Sequence, residues 1–140
     1  MKLKALVHVN LSSNSLTGAI PPVFGQMVGL TYLSLAKNAL EEQVPKALAG
    51  LRELHTLDLS SNVLTGPVPR EICAIKTLTS FNVRRNQFTE LPDLGTPRSE
   101  LKILMADRNL FSGKLPSRLP KTLHTIQLGM NKFTGSIPSR

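Results

Sequence analysis

The feature that most constrains this chain is a row of six asparagines. Asn14, Asn38, Asn62, Asn86, Asn109 and Asn131 are spaced 24, 24, 24, 23 and 22 residues apart. Three residues before each stands Leu11, Leu35, Leu59, Val83, Ala106 or Leu128, and five before stands Val9, Leu33, Leu57, Phe81, Leu104 or Ile126. Eight before come Leu6, Leu30, Leu54, Leu78, Leu101 and Leu123; two after come Leu16, Leu40, Leu64, Phe88, Phe111 and Phe133. The chain therefore reads LxxLxLxxNxL six times, with only Ala106 weak. A unit this short cannot bury its own apolar face, so the repeats must stack along an axis and share a continuous core.

Within each unit the L-x-L core alternates with period two, as a short strand with one buried face does. The Asn follows where the chain bends. A carboxamide there can bond backbone groups of its own coil and of the neighbouring one, satisfying groups that regular pairing leaves open. Losing one would strand buried donors and acceptors at about 1–3 kcal/mol each. All six Asn are read as a structural ladder.

Behind the Asn lies a second signature. Thr17-Gly18-Ala19-Ile20-Pro21, Thr65-Gly66-Pro67-Val68-Pro69, Ser112-Gly113-Lys114-Leu115-Pro116 and Thr134-Gly135-Ser136-Ile137-Pro138 all read [ST]-G-x-[hydrophobic]-P. With this signature the chain, from Leu3 to Pro138, resembles the plant-type leucine-rich repeats of receptor-like kinases, receptor-like proteins and polygalacturonase-inhibiting proteins. The resemblance implies an α/β repeat solenoid, a right-handed coil of about six 22–24-residue repeats with a parallel concave sheet, occupying residues 1–140 as a single segment. It also implies a second strand after each Asn. Glu41-Glu42-Gln43-Val44-Pro45 and the shorter Thr89-Glu90-Leu91-Pro92 depart from the signature, which puts that strand in doubt in the second and fourth coils.

On the outer side, the segments beginning at Pro21, Pro45 and Pro69 place apolar residues three apart after a Pro, which suits a short helix. Phe24, Leu48 and Ile72, then Met27, Leu51 and Ile75, are equivalent core positions. Leu94-Gly95-Thr96-Pro97 and Ser117-Arg118-Leu119-Pro120 replace this pattern later, and extended segments are expected there. With no Trp, one Tyr and five Phe, the core is expected to be aliphatic.

Composition excludes several classes. A single Cys rules out a disulfide framework and a Cys-based zinc site, and no segment approaches eighteen consecutive apolar residues, so no membrane span is expected. Met1-Lys2-Leu3-Lys4 resembles the charged start of a signal peptide, but Ala5 to Leu11 has neither an uninterrupted apolar run nor a cleavage site. The resemblance implies an extracellular or cell-surface setting, and the missing signal leaves a cytoplasmic one open. Paired-Cys caps, usual in extracellular members of the family, are absent, so the chain reads as a segment of a larger repeat protein, with self-association through the end coils as the alternative. The net charge of +8 is lopsided, +2 over residues 1–70 and +6 over 71–140. Much of it falls on outer positions such as Lys114, Arg118, Lys121 and Lys132.

The outward residues of the strands are the candidate recognition surface. Their middle positions are Asn10, Ser34, Asp58, Asn82, Met105 and Gln127. His8, Tyr32, Thr56, Ser80, Ile103 and Thr125 come two earlier; Ser12, Ala36, Ser60, Arg84, Asp107 and Gly129 come two later. At about 4.8 Å per strand, six strands span about 24 Å, suited to a peptide or a protein edge more than to a deep pocket. The candidate partner-binding set is Asn82, Arg84, Arg85, Ile103, Met105 and Arg108, with Tyr32, Thr56 and Asp58 further along. Ile103 and Met105 are apolar where no structural duty demands it, and Arg84 could fork onto a carboxylate. The Arg-x-Arg pair thought to hold a ligand carboxylate in some plant peptide receptors is not matched, because Asn82 precedes Arg84.

No catalytic, metal or cofactor site is expected. His55, Asp58 and Ser60 lie close in sequence, but His55 and Asp58 fall on opposite sides of the pleat. His8, His55 and His124 are too far apart in the repeat order for one metal. Cys73 takes the small-residue slot of Gly25 and Ala49, as a packed free thiol. Asn10-Leu11-Ser12 is the sole N-glycosylation sequon. The function expected is a non-catalytic module binding a protein or peptide ligand, part of a receptor-like or inhibitor-like protein. An intracellular scaffold is the alternative. A nucleic-acid binder would require a basic stripe with stacking aromatics, which is not seen.

Overall fold

A computed structural model describes residues 3–95 and 99–138; the expected extended segment at Thr96-Pro97 lies outside them. Each L-x-L core forms a three-residue strand: β1 His8–Asn10, β3 Tyr32–Ser34, β5 Thr56–Asp58, β7 Ser80–Asn82, β9 Ile103–Met105 and β11 Thr125–Gln127. They join in chain order into one six-stranded sheet, every adjacent pair parallel. The register matches equivalent residues, so that Tyr32, Thr56, Ser80 and Ile103 line up across it. Period-two alternation turns the central residue of each strand inward. Leu33, Leu57, Phe81 and Leu104 are fully buried.

The Asn residues hold the coils in step. Asn62 Oδ1 accepts the Leu40 N–H at 3.0 Å, while its Nδ2 donates to the carbonyls of Leu35 in the previous coil (3.0 Å) and Leu59 in its own (3.1 Å). Asn38, Asn86, Asn109 and Asn131 repeat the pattern. Among the described residues Asn14 bonds only its own coil, at Leu11 and Ser12. The residue before each Asn (Ser13, Lys37, Ser61, Arg85, Arg108 and Met130) is left-handed, with φ between 54° and 58°. That conformation is unfavourable for a residue with a Cβ, and the carboxamide braces it by tying down the carbonyls on its N-terminal side.

The aliphatic core expected from composition is corrected in the later coils. Two residues after the Asn, Leu16, Leu40 and Leu64 give way to Phe88, Phe111 and Phe133. Their near-parallel rings form a column with centroids 6.2 and 6.1 Å apart. An offset stack suits the aromatic quadrupole, and the coil spacing supplies it without distortion.

The second strand forms in every coil: β2 Thr17–Ala19, β4 Ala39–Glu41, β6 Thr65–Pro67, β8 Gln87–Glu90, β10 Ser112–Gly113 and β12 Lys132–Phe133. The doubt raised for the second and fourth coils is therefore overturned. Glu42 adopts φ 68° where Gly18, Gly66, Gly113 and Gly135 stand in other coils. In the fourth coil the ladder passes from Gly66↔Phe88 to Pro67↔Glu90, bulging out Thr89. The departures act instead on the following side. These strands pair as β2–β4, β6–β8 and β10–β12, three separate ribbons; between β4 and β6 the ladder is reduced to a Gln43↔Thr65 bridge, with the Val63 N–H donated to the Leu40 carbonyl beside it.

The outer segments are 3-10 turns at Pro22–Gln26 and Lys46–Gly50 and a four-residue α-helix at Arg70–Cys73. Pro supplies an extended φ at each N-cap. A Cβ on Gly25 would fall on the Ala47 carbonyl, so the first two of these turns approach as closely as glycine allows. Among the described residues the later coils carry no helix on this side, and Ser117 to Pro120 lie outside any helix as their extra Pro implied.

Candidate functional site

The outward side chains of the sheet divide into three zones. At its N-terminal end His8 stacks on Tyr32 with centroids 4.2 Å apart and planes 3° from parallel. Equivalent positions on neighbouring parallel strands are matched in register, which puts the two rings face to face. The middle zone is polar and partly engaged with its own backbone. Asp58 Oδ1 accepts the Ser60 N–H at 2.9 Å, and Asn82 Oδ1 accepts the Arg84 N–H at 3.2 Å. These short loops fasten the end of each strand before the bend. Thr56 and Asp58 are half-buried beside them.

The third zone is basic and apolar. Arg84 and Asp107 occupy the same position in successive coils, with Arg84 Nη2 3.3 Å from Asp107 Oδ2. Arg108 Nε approaches the same oxygen at 3.9 Å. Arg84 Nε and Asp107 Oδ1 are both buried without a hydrogen-bond partner among the described residues. The single contact is therefore not the two-bond fork a guanidinium makes with a well-placed carboxylate. Ile103 is 38% exposed and Met105, on the same strand β9, is half-buried.

The structure thus brings Asn82, Arg84, Ile103, Met105 and Arg108 together across β7, β9 and the bends that follow. It leaves Tyr32 three strands from Ile103, roughly 14 Å at the usual spacing. Arg85 and Arg108 stand on the left-handed bends, not on the strands, and both are exposed. The reading of Arg84 as a free carboxylate fork needs revising, because Asp107 of the same chain already meets it. Asp107 and His8 were in the outward rows yet outside the candidate set; their alignment with Arg84 and Tyr32 was the available signal.

The groups considered for catalysis have other partners. His55 Nδ1 meets the Glu53 carbonyl at 2.7 Å, and Ser60 is buried. Cys73 is buried, and desolvation pushes its thiol pKa up to about 12. An open cavity of ≈ 930 Å³ lies away from the sheet's outward face, lined by Leu115, Leu119, Leu123, Ile126, Leu128 and Ile137 among others. Leu123 and Ile126 repeat the core positions of Leu101 and Leu104, so this cavity is the flank of a coil. No helix among the described residues is long and apolar enough to cross a membrane.

Comparison with known proteins sets this geometry in context. The family described as "Leucine rich repeat" matches residues 4–64. A search of curated proteins found no match. Among solved structures, the plant peptide hormone receptor RGFR1 in complex with RGF2 is similar at TM-score 0.86 and 31% identity, over 96% of this chain and 22% of that one. The Arabidopsis receptor kinase HAESA in complex with the peptide hormone IDA and the co-receptor SERK1 is similar at TM-score 0.86 and 30% identity, over 96% and 23%. A plant ice-binding protein is similar at TM-score 0.72 and 27% identity, over 96% and 52%. The chain thus spans less than a quarter of the two receptors and about half of the third protein. One solenoid serves different ligands in these three, so function has to be argued from the outward residues.

Proposed function

We propose that this leucine-rich-repeat solenoid of the plant type is a non-catalytic module that binds a protein or peptide ligand through its concave face. It acts as part of a receptor-like or inhibitor-like protein at the cell surface. The observation that carries the reading is the likeness, at TM-score 0.86, to two receptors described in complex with peptide hormones. The concave face supports it: a shallow surface with an aromatic pair at one end and a basic, apolar zone at the other suits an extended chain lying across the strands.

Within that face the binding zone is Asn82, Arg84, Arg85, Ile103, Met105 and Arg108, with Tyr32, Thr56 and Asp58 reached by a longer ligand. Ile103 and Met105 contribute apolar contact area, and the three arginines outnumber the one carboxylate between them, leaving the zone positive. The reading is tested by capturing ligands from an extracellular protein and peptide fraction with the wild type and an Arg84→Ala, Met105→Ala double variant. Recovery should fall at least tenfold for the variant. Equal recovery by both would remove this zone from the interface. Inhibition of a fungal polygalacturonase by the wild-type chain would favour the inhibitor-like form.

A further inference from the structure

Of the eight asparagines, only Asn10 has a hydroxyl residue two positions on. Asn10 stands on an outward position of β1 and is exposed, as an acceptor of a bulky group must be. Its Oδ1 accepts both the Ser12 N–H at 3.0 Å and the Ser12 hydroxyl at 2.6 Å. Two donors on one oxygen fix the carboxamide and leave Nδ2 without a protein partner among the described residues. The ladder asparagines are the reverse: their Nδ2 groups are tied to backbone carbonyls, three of them for Asn62. Asn82 shares the loop geometry but has Arg84 where a hydroxyl would be required.

We infer that Asn10 is an N-glycosylation site and that its glycan screens the His8–Tyr32 end of the concave face, so that the glycosylated form holds ligand at the Asn82–Arg108 end and a longer ligand reaches Tyr32 only where Asn10 is unmodified. The inference rests on the extracellular placement argued above. Attachment joins Asn10 Nδ2 to the anomeric carbon of a lipid-linked oligosaccharide diphosphate. The bond from that carbon to the diphosphate oxygen breaks, the lipid diphosphate leaves with the electron pair, and Nδ2 loses one proton. Asn10 and Ser34 are paired in register, as are His8 and Tyr32, so a glycan on β1 overhangs the aromatic pair.

The test is expression of the full chain behind a secretory leader, with intact mass read on material from both cells and medium. The wild type and Ser12→Thr should carry a mass increment removed by an Asn-specific glycosidase; Ser12→Ala and Asn10→Gln should carry none. Unmodified wild type, in cells that glycosylate a control protein, overturns the site while leaving ligand binding at Arg84 and Met105 untouched. Screening is read separately through Tyr32, the chain's single tyrosine. Iodination should be several-fold slower with the glycan than after its removal. Equal rates would overturn the screening.

Discussion

Arg84 and Asp107 occupy one position in two successive coils, and the parallel register sets their side chains against each other with Nη2 and Oδ2 3.3 Å apart. A charge pair of this kind needs no sequence proximity: the 22 residues between them wind once around the solenoid. Arg108 adds a second cation 3.9 Å from the same oxygen. One carboxylate thus serves two guanidinium groups in the zone assigned to ligand binding.

Replacing Asp107 by Asn leaves Arg84 and Arg108 facing each other without a counter-charge. The pair is partly exposed, so the expected loss of stability is modest, about 1 kcal/mol at low salt, and smaller as ionic strength rises. Urea unfolding of Asp107→Asn, Arg84→Gln and the double variant should give a coupling of about 0.5–1 kcal/mol. A coupling indistinguishable from zero at low salt would mean that the contact contributes nothing to stability.

The asparagine ladder predicts a graded series. Asn62 satisfies the Leu40 N–H and three carbonyls in a buried setting, so Asn62→Ala should cost about 3 kcal/mol or more. Asn14 is exposed and bonds two carbonyls of its own coil. Asn14→Ala should cost less than about 1 kcal/mol, because water can replace the lost donor. Equal losses at the two positions, measured by denaturant midpoints, would contradict a ladder that acts between coils.

Glu42 tests the cost of a missing glycine. It holds φ 68° at the position where four other coils use Gly, and the left-handed region costs a residue with a Cβ about 1 kcal/mol. Glu42→Gly should therefore raise stability by about 0.5–1 kcal/mol, less the backbone entropy glycine brings to the unfolded chain. A loss above about 1 kcal/mol would show that the Glu42 side chain contributes more than its backbone strain costs.

The same residue shows where sequence reading stops. The six strands and the Asn bends were legible because each is encoded six times over and each copy supports the others. Doubt about the second strand at Glu42 and Glu90 came from treating each coil as if it must match the pattern alone. In the structure Glu42 takes the glycine conformation just beyond β4, where its carbonyl accepts the Thr65 N–H, and the short fourth coil is absorbed as a bulge at Thr89. The Arg84–Asp107 contact and the His8–Tyr32 stack were hidden for a related reason. Both need two coils read side by side, and a search for isolated outward residues does not compare them. The phenylalanine column was visible as Phe88, Phe111 and Phe133 at one repeat position, yet counting aromatics over the whole chain concealed it.

Cys73 carries a prediction about pH. Burial raises its thiol from 9.0 to about 12 in the folded chain, so the folded protein keeps a proton that the unfolded chain gives up near pH 9. The sign follows: this group's contribution to stability is complete below about pH 9 and is lost as pH climbs towards 12, at up to about 1.4 kcal/mol per pH unit. In Cys73→Ala, whose side chain matches Ala49 in the equivalent slot, that alkaline slope should be absent while the stability at pH 7 falls by about 1 kcal/mol. Native wild type should also react with a thiol reagent only as fast as it opens, and unfolding in urea should speed the reaction by orders of magnitude. Parallel stability curves for wild type and Cys73→Ala between pH 9 and 11, or rapid labelling of the native protein, would show that the thiol is not held neutral in the core.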